Sequence, residues 1–234
     1  MPISEQSVSA ACWSCGAALA AGAPFCDACG KVQAPVADVS YFEVFGLPRK
    51  LALDATVLEK SFYRLSRKLH PDVYARATEQ EQQWSLEQTS LLNDAYRTLK
   101  NPITRTEYLL RLEGVEIEQD RSSENGAKKE SRVPADLLEE VFELNMQLEE
   151  MRMNRKMGED DPQLRGDLEK AKAQFEGQMA ESDSQLQALW SNWDAAIDAN
   201  NEAAQTETKN KMVALLDRRR YVRNLVRDVN EALG

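Results

Sequence analysis

The sequence predicts a mostly α chain: a small N-terminal cysteine module, an antiparallel helical hairpin and a C-terminal three-helix bundle. Ten Gly and eight Pro in 234 residues are too few for a β-rich or disordered chain, and long stretches rich in Ala, Leu, Glu, Gln, Arg and Lys suit helices. Apolar residues recur at three- and four-residue spacing in each long segment, and all four cysteines fall between Cys12 and Cys29. The length allows one or two compact domains plus accessories.

Charge is uneven along the chain. The total is 29 Lys+Arg against 39 Asp+Glu, a net charge of −10. Residues 1–38 carry 1 basic and 3 acidic side chains, residues 39–114 carry 11 and 10, and residues 115–234 carry 17 and 26. The acidic body argues against a nucleic-acid partner, since phosphate neutralisation needs several cations and the cysteine module has only Lys31. No apolar run approaches the ~20 residues that cross a bilayer, so no membrane association is expected. The first 30 residues hold no Lys or Arg to start a signal or transit peptide, and the expectation is a cytoplasmic protein. With one histidine, any Cys–His or Ser–His–Asp chemistry would have to use His70.

In the first module, Cys12-Trp-Ser-Cys15-Gly16 and Cys26-Asp-Ala-Cys29-Gly30 form two turns with ten residues between Cys15 and Cys26. In each, two thiolates reach one ion from a tight loop, and glycine permits the positive φ that turns backbone N–H groups toward sulfur. Four thiolates close a tetrahedral site with no open position, which points to one structural zinc. Disulfides or free thiols, and an iron–sulfur cluster on the same ligands, remain alternatives at this level. A module this small and poor in apolar residues needs a metal or bridges to fold. Residues 32–38 then read as a linker.

A short helix from Ser40 ends at Gly46 and Pro48. In the next, Leu58, Phe62, Leu65 and Leu69 make an apolar face, and Lys60, Arg64, Arg67 and Lys68 make a basic one. Cations without intervening acids repel each other, so an acidic partner explains this stripe better than solvation alone. The helix must end at His70-Pro71-Asp72, because the residue before proline leaves the α region. A second long helix carries Trp84, Leu86, Leu91, Leu92, Ala95, Tyr96 and Leu99, and a shorter one follows Asn101-Pro102.

These residues resemble a J domain, the module that stimulates ATP hydrolysis by DnaK-type 70-kDa heat-shock chaperones. The resemblance rests on Tyr41-Phe42 with Leu47, the basic helix, His70-Pro71-Asp72 and Asn93-Asp94-Ala95-Tyr96-Arg97-Thr98-Leu99. It implies that His70, Pro71 and Asp72 act as the trigger, and that Lys60, Arg64, Arg67 and Lys68 dock the chaperone electrostatically. Tyr41 to Pro48, Asn101-Pro102 and Arg105-Thr-Glu-Tyr-Leu-Leu, followed by an acidic helical domain, are similar to HscB/Jac-type co-chaperones of iron–sulfur cluster assembly. The cysteine pairs ending in Phe-Cys-x-x-Cys and Gln-Ala-Pro resemble the eukaryotic-type members. The chain lacks the Gly/Phe-rich linker and Cys-rich centre of general DnaJ proteins, which favours a dedicated client.

Glu118 to Pro134 is polar and marks a second boundary, giving a zinc module and linker at 1–38, a J domain at 39–117 and a helical scaffold-binding domain at 118–234. In the last, Leu137, Val141, Leu144, Leu148 and Met151 form one buried seam. Leu138, Phe142 and Met146 lie beside it, either as a wider core stripe or as an exposed strip for a partner. The resemblance implies the strip, and it assigns scaffold binding to Leu138, Phe142 and Tyr221, while Met146 stands where the family has a charged type. Gly158 to Pro162 breaks the helix. A long seam from Leu164 to Ile197 follows, suggesting a protruding hairpin, and a final helix buries Leu215, Val222, Leu225, Val229 and Leu233. Arg218-Arg219-Arg220 reads as a solvated face.

The implied function is that of a non-enzyme, which delivers an IscU-type iron–sulfur scaffold protein to a DnaK/HscA-type chaperone and stimulates its ATPase. A J protein with another client, and a metal-transfer or redox protein using the four cysteines, are the rivals.

Overall fold

A computed structural model describes residues 11–20, 22–117 and 133–234. The polar boundary at 118–132 lies outside the described residues. The chain forms two compact units, residues 1–109 and 110–234, and the division falls within one helix. The described residues are predominantly helical, and pairing between extended segments is limited to the isolated bridges Ala11–Ala18 and Phe25–Val32, one across each cysteine turn.

In the first unit, α1 (Tyr41–Val44) is a single turn fixed by a capping box, with Ser40 accepting from the Glu43 N–H and Glu43 accepting from the Ser40 N–H. Those bonds to Ser40 also hold the Glu43 carboxyl below its usual range. Helix α2 (Ala55–Leu69) starts where Asp54 accepts from the N–H groups of Thr56 and Val57. A 3-10 turn, Pro71–Tyr74, leads to α3 (Glu79–Lys100), which opens on a second capping box between Thr78 and Glu81. Helix α4 (Pro102–Leu112) follows. Leu58 and Leu69 of α2 and Leu92, Ala95 and Leu99 of α3 are buried, with Phe42 and Leu51 completing the core. Phe62 stacks on Tyr96 at 4.1 Å, joining the two antiparallel helices.

One feature of α3 departs from its apolar pattern. Leu86 is exposed, while Glu81, Ser85 and Gln88, spaced i, i+4 and i+7, are buried. The first turns of α3 thus face polar partners rather than a hydrocarbon core.

In the second unit, α5 (Leu138–Met157) ends at Gly158, whose φ of +74° is the left-handed conformation that closes a helix. Asp161 then caps α6 (Pro162–Asp198), with proline at its first position, and α7 (Glu202–Leu233) returns after a three-residue turn. Leu137, Val141, Leu144, Leu148 and Met151 are buried against Leu164, Leu168 and Phe175 of α6 and Val222, Leu225 and Val229 of α7. Beyond that three-helix core, α6 and α7 continue as a pair around Leu186, Trp190, Trp193, Met212 and Leu216. Two expectations need correction. Leu216, not Leu215, is the buried residue on α7, because the inward positions run Met212, Leu216 and on to Val222, and Leu233 is only partly buried at the helix end. The arginine run is not merely solvated: Arg218 pairs with Asp136, Arg219 with Asp183 and Arg220 with Asp217.

Candidate functional site

Three groups of residues fit a function: the cysteine cluster, the His70–Asp72 loop with its basic helix, and an exposed strip on α5.

The two cysteine turns have the same geometry. Gly16 N–H donates to Cys12 O at 2.9 Å and Gly30 N–H to Cys26 O at 2.8 Å, with φ of +74° and +72°. The four Sγ atoms lie within 4.8 Å of one another, and the Cys12–Cys29 and Cys15–Cys26 pairs are each 3.6 Å apart. Four thiolates bonded to zinc at about 2.3 Å sit about 3.8 Å apart, so the cluster has the right size for one tetrahedral ion. The cysteines are free, without disulfide bonding. The Ser14 N–H and the Gln33 Nε2–H each donate to Cys12 Sγ at 3.4 Å. Burial raises the Cys12 thiol, but N–H bonds from Cys15 and Ser14 and the neighbouring thiols pull it down to about 6. At Cys15 the Ala17 N–H acts downward, yet hydrogen bonding with Cys29, burial, and bonding with Cys26 and Cys12 push it up to about 12. Such a cluster cannot fully ionise unless a cation sits among the sulfurs, and a cation is what its donor set selects.

The loop follows directly from α2. His70 is its C-cap, and Pro71 opens the 3-10 turn. The Asp72 N–H lies 3.3 Å from His70 Nδ1, and the same nitrogen is 3.5 Å from Asp72 Oδ2, so the loop closes on itself through these two residues. Both side chains are exposed, Asp72 to 92%. Lys60, Arg64, Arg67 and Lys68 are all exposed on α2, with no carboxylate at ion-pairing distance among the described residues. The end of α2 is anchored from α3: Ser85 Oγ donates to Leu69 O at 2.6 Å, and Thr89 Oγ1 does so at 3.2 Å. These two hydroxyls occupy the carbonyl that α2 leaves open. Neither hydroxyl stands out in the sequence, where a polar i, i+4 pair within an apolar helix pattern is the one signal of them.

On α5, Leu138, Phe142 and Met146 are 55%, 69% and 62% exposed. They form an exposed strip rather than a wider core stripe. Tyr221 of α7 is half-buried and packs against the core.

Residues 40–108 match the DnaJ domain family. The chain is 31% identical over 186 residues to the mouse iron-sulfur cluster co-chaperone protein HscB, covering 71% of this chain and 76% of that one. The chain belongs to the HscB co-chaperone family. The Aliivibrio salmonicida co-chaperone protein HscB homolog is 32% identical over 182 residues, 76% of this chain and 93% of its own length. The crystal structure of human co-chaperone protein HscB shares the fold, with a TM-score of 0.63 at 23% identity over 95% of this chain and 98% of that one. HscB membership makes this a J-domain co-chaperone, and it fits a protein that is not itself an enzyme. No helix among the described residues is long and apolar enough to cross a membrane.

Proposed function

We propose that this protein stimulates the ATPase of a DnaK/HscA-type 70-kDa heat-shock chaperone and delivers to it an IscU-type iron–sulfur scaffold protein. The observation that carries the reading is the exposed His70-Pro71-Asp72 loop, seated at the end of a helix whose cations have no carboxylate partner among the described residues. Such a helix is complementary to an acidic surface, and long-range attraction would speed its encounter. The mouse relative's name, an iron–sulfur cluster co-chaperone, supports the choice of client.

In this reading residues 39–117 engage the chaperone and residues 118–234 hold the scaffold through Leu138, Phe142 and Tyr221. Holding both raises the scaffold's effective concentration at the chaperone. Cys12, Cys15, Cys26 and Cys29 hold one structural zinc, which supplies folding energy to the module and no chemistry. Free cysteines suit a cytoplasmic, reducing setting.

The test is steady-state ATP hydrolysis by the chaperone with wild type, His70→Gln and Leu138→Ala/Phe142→Ala, each with and without the scaffold. Stimulation by wild type, none by His70→Gln, and loss of only the scaffold-dependent part in the double variant is the expected pattern. Stimulation indifferent to the scaffold would point to another client, and no stimulation by any form would overturn the reading.

A further inference from the structure

The buried polar face of α3 is satisfied by the cysteine module. Glu81 is 4% exposed and uses both carboxylate oxygens: Lys31 Nζ donates to Oε1 at 2.7 Å and Thr78 Oγ1 to Oε2 at 2.9 Å. Gln88, two turns on, donates from Nε2 to Gln33 O at 3.2 Å. Gln33 in turn donates from its own side chain to Lys31 O at 2.8 Å and to Cys12 Sγ. One residue therefore touches a metal-ligating sulfur with its side chain and α3 with its backbone. Lys31 O also accepts from the Cys26 N–H at 3.0 Å, closing the second cysteine turn. Trp13, between Cys12 and Cys15, meets Trp84 edge to face at 5.6 Å.

The module also reaches the other side of the docking loop. Lys68, next to the end of α2, lies 5.8 Å from the centre of the Phe25 ring. Phe25, Cys26, Asp27 and Gly30 form one wall of a cleft whose other wall is Arg67, Lys68, Val73 and Tyr74. The His70–Asp72 loop is thus bracketed, with the module against the last turn of α2 on one side and against the first turns of α3 on the other.

We propose that Lys31 and Gln33 are positioning residues through which the metal-filled cysteine module holds the His70–Asp72 loop and the start of α3 in their chaperone-docking geometry. The physical reason is that Glu81 Oε1 and Gln88 Nε2 take their hydrogen bonds from the cysteine module, from Lys31 Nζ and to Gln33 O. When the module loses its ion and unfolds, Glu81 keeps only its Thr78 bonds, and Glu81 Oε1 and Gln88 Nε2 must exchange their module partners for water. Movement of Glu81 disturbs the capping box of α3, and with it Ser85, which holds Leu69 O. Metal occupancy is then linked to the loop without the metal touching the chaperone. This rests on the chaperone-docking role proposed above, so the test includes measurements that do not involve the chaperone.

The experiment compares full-length wild type, Lys31→Ala, Glu81→Gln and Gln33→Ala, each with zinc and after removal of zinc by a chelator. Three quantities are read: zinc content and release rate, amide hydrogen exchange across residues 70–90, and the concentration for half-maximal stimulation of the chaperone. Glu81→Gln keeps an acceptor for the cap while removing the charge. Lys31→Ala and Glu81→Gln should keep one zinc per chain, exchange faster through residues 70–90, and need roughly five- to ten-fold more protein for half-maximal stimulation, the scale of one lost hydrogen bond. Gln33→Ala should also release zinc faster. Zinc removal should bring wild type to the exchange pattern of Lys31→Ala and change Lys31→Ala itself much less. Unchanged exchange at residues 70–90 on zinc removal, or a Lys31→Ala protein indistinguishable from wild type, would overturn the proposal. Zinc-dependent exchange in a protein that fails to stimulate any chaperone would uphold the positioning role and overturn the docking role.

Discussion

Glu81 is a carboxylate taken almost wholly out of water, and its charge survives because Lys31 and Thr78 meet it. The Lys31 bond lowers its pKa against the opposing effect of burial, and the Thr78 bonds add to that, while Glu81 raises the pKa of Lys31 in return. A lowered carboxylate pKa stabilises the fold above the unfolded value of about 4.3 and loses that contribution as pH falls through the folded value. A raised lysine pKa stabilises it below about 10.4 and loses that as pH rises through the folded value. Lys31→Ala should therefore lower the melting temperature of the first unit most between about pH 5 and 9, with a difference from wild type that shrinks in acid. A pH-independent difference would mean that Lys31 acts by packing alone. The cysteine cluster makes a second prediction at this scale. Because the Cys15 thiol is pushed up to about 12, binding zinc near neutral pH must displace protons. Calorimetry in two buffers of different ionisation enthalpy should show net proton release, and apparent affinity should rise with pH. The cysteine ligands were legible because their spacing is local. Lys31, Gln33, Glu81 and Gln88 were not, since polar residues on a helix read as solvated until a segment about 50 residues away in sequence is seen to cover them.

At the scale of the element, α5 carries two apolar stripes with opposite fates. Leu144 is buried in the three-helix core, whereas Leu138 and Phe142 face outward. Leu144→Ala should cost about 2–5 kcal/mol in urea denaturation, the cost of a cavity in a packed core. Leu138→Ala/Phe142→Ala should change stability by about 0.5 kcal/mol or less, as substitutions away from packed positions do, while abolishing scaffold binding. If the double variant is as unstable as Leu144→Ala, the strip is structural and its binding role falls. The periodicity of α5 identified the buried seam correctly, because a 3-and-4 spacing has one inward direction. It could not decide the second stripe, since three apolar residues at i, i+4 and i+8 serve equally as the edge of a wider core. Which applies depends on whether another element covers that face, and among the described residues none buries Leu138, Phe142 or Met146. The helix ends at Gly158 and Asp161, and the long α6, were readable from single residues and from an unbroken apolar seam.

For the whole molecule, the buried residues divide between two units, and the cysteine cluster belongs to the first. The first unit holds all four cysteines, whereas the second draws its core from Leu137, Leu144, Leu168, Phe175, Val222 and Val229. Zinc that binds only a folded first unit stabilises that unit by mass action, and among the described residues the second unit offers no comparable ligand cluster. Chains with two cores need not unfold in one step. Tryptophans sit in both: Trp13 and Trp84 in the first, Trp190 and Trp193 in the second. Urea denaturation followed by fluorescence should then show two transitions, of which one moves to higher urea as free zinc rises and one stays in place. Stripping zinc should leave the second transition unchanged, so that the exposed strip on α5 remains presented while the His70–Asp72 loop is loosened. If both transitions move together with zinc, the two units unfold as one cooperative block, and loss of the metal would disturb the α5 strip as well as the His70–Asp72 loop.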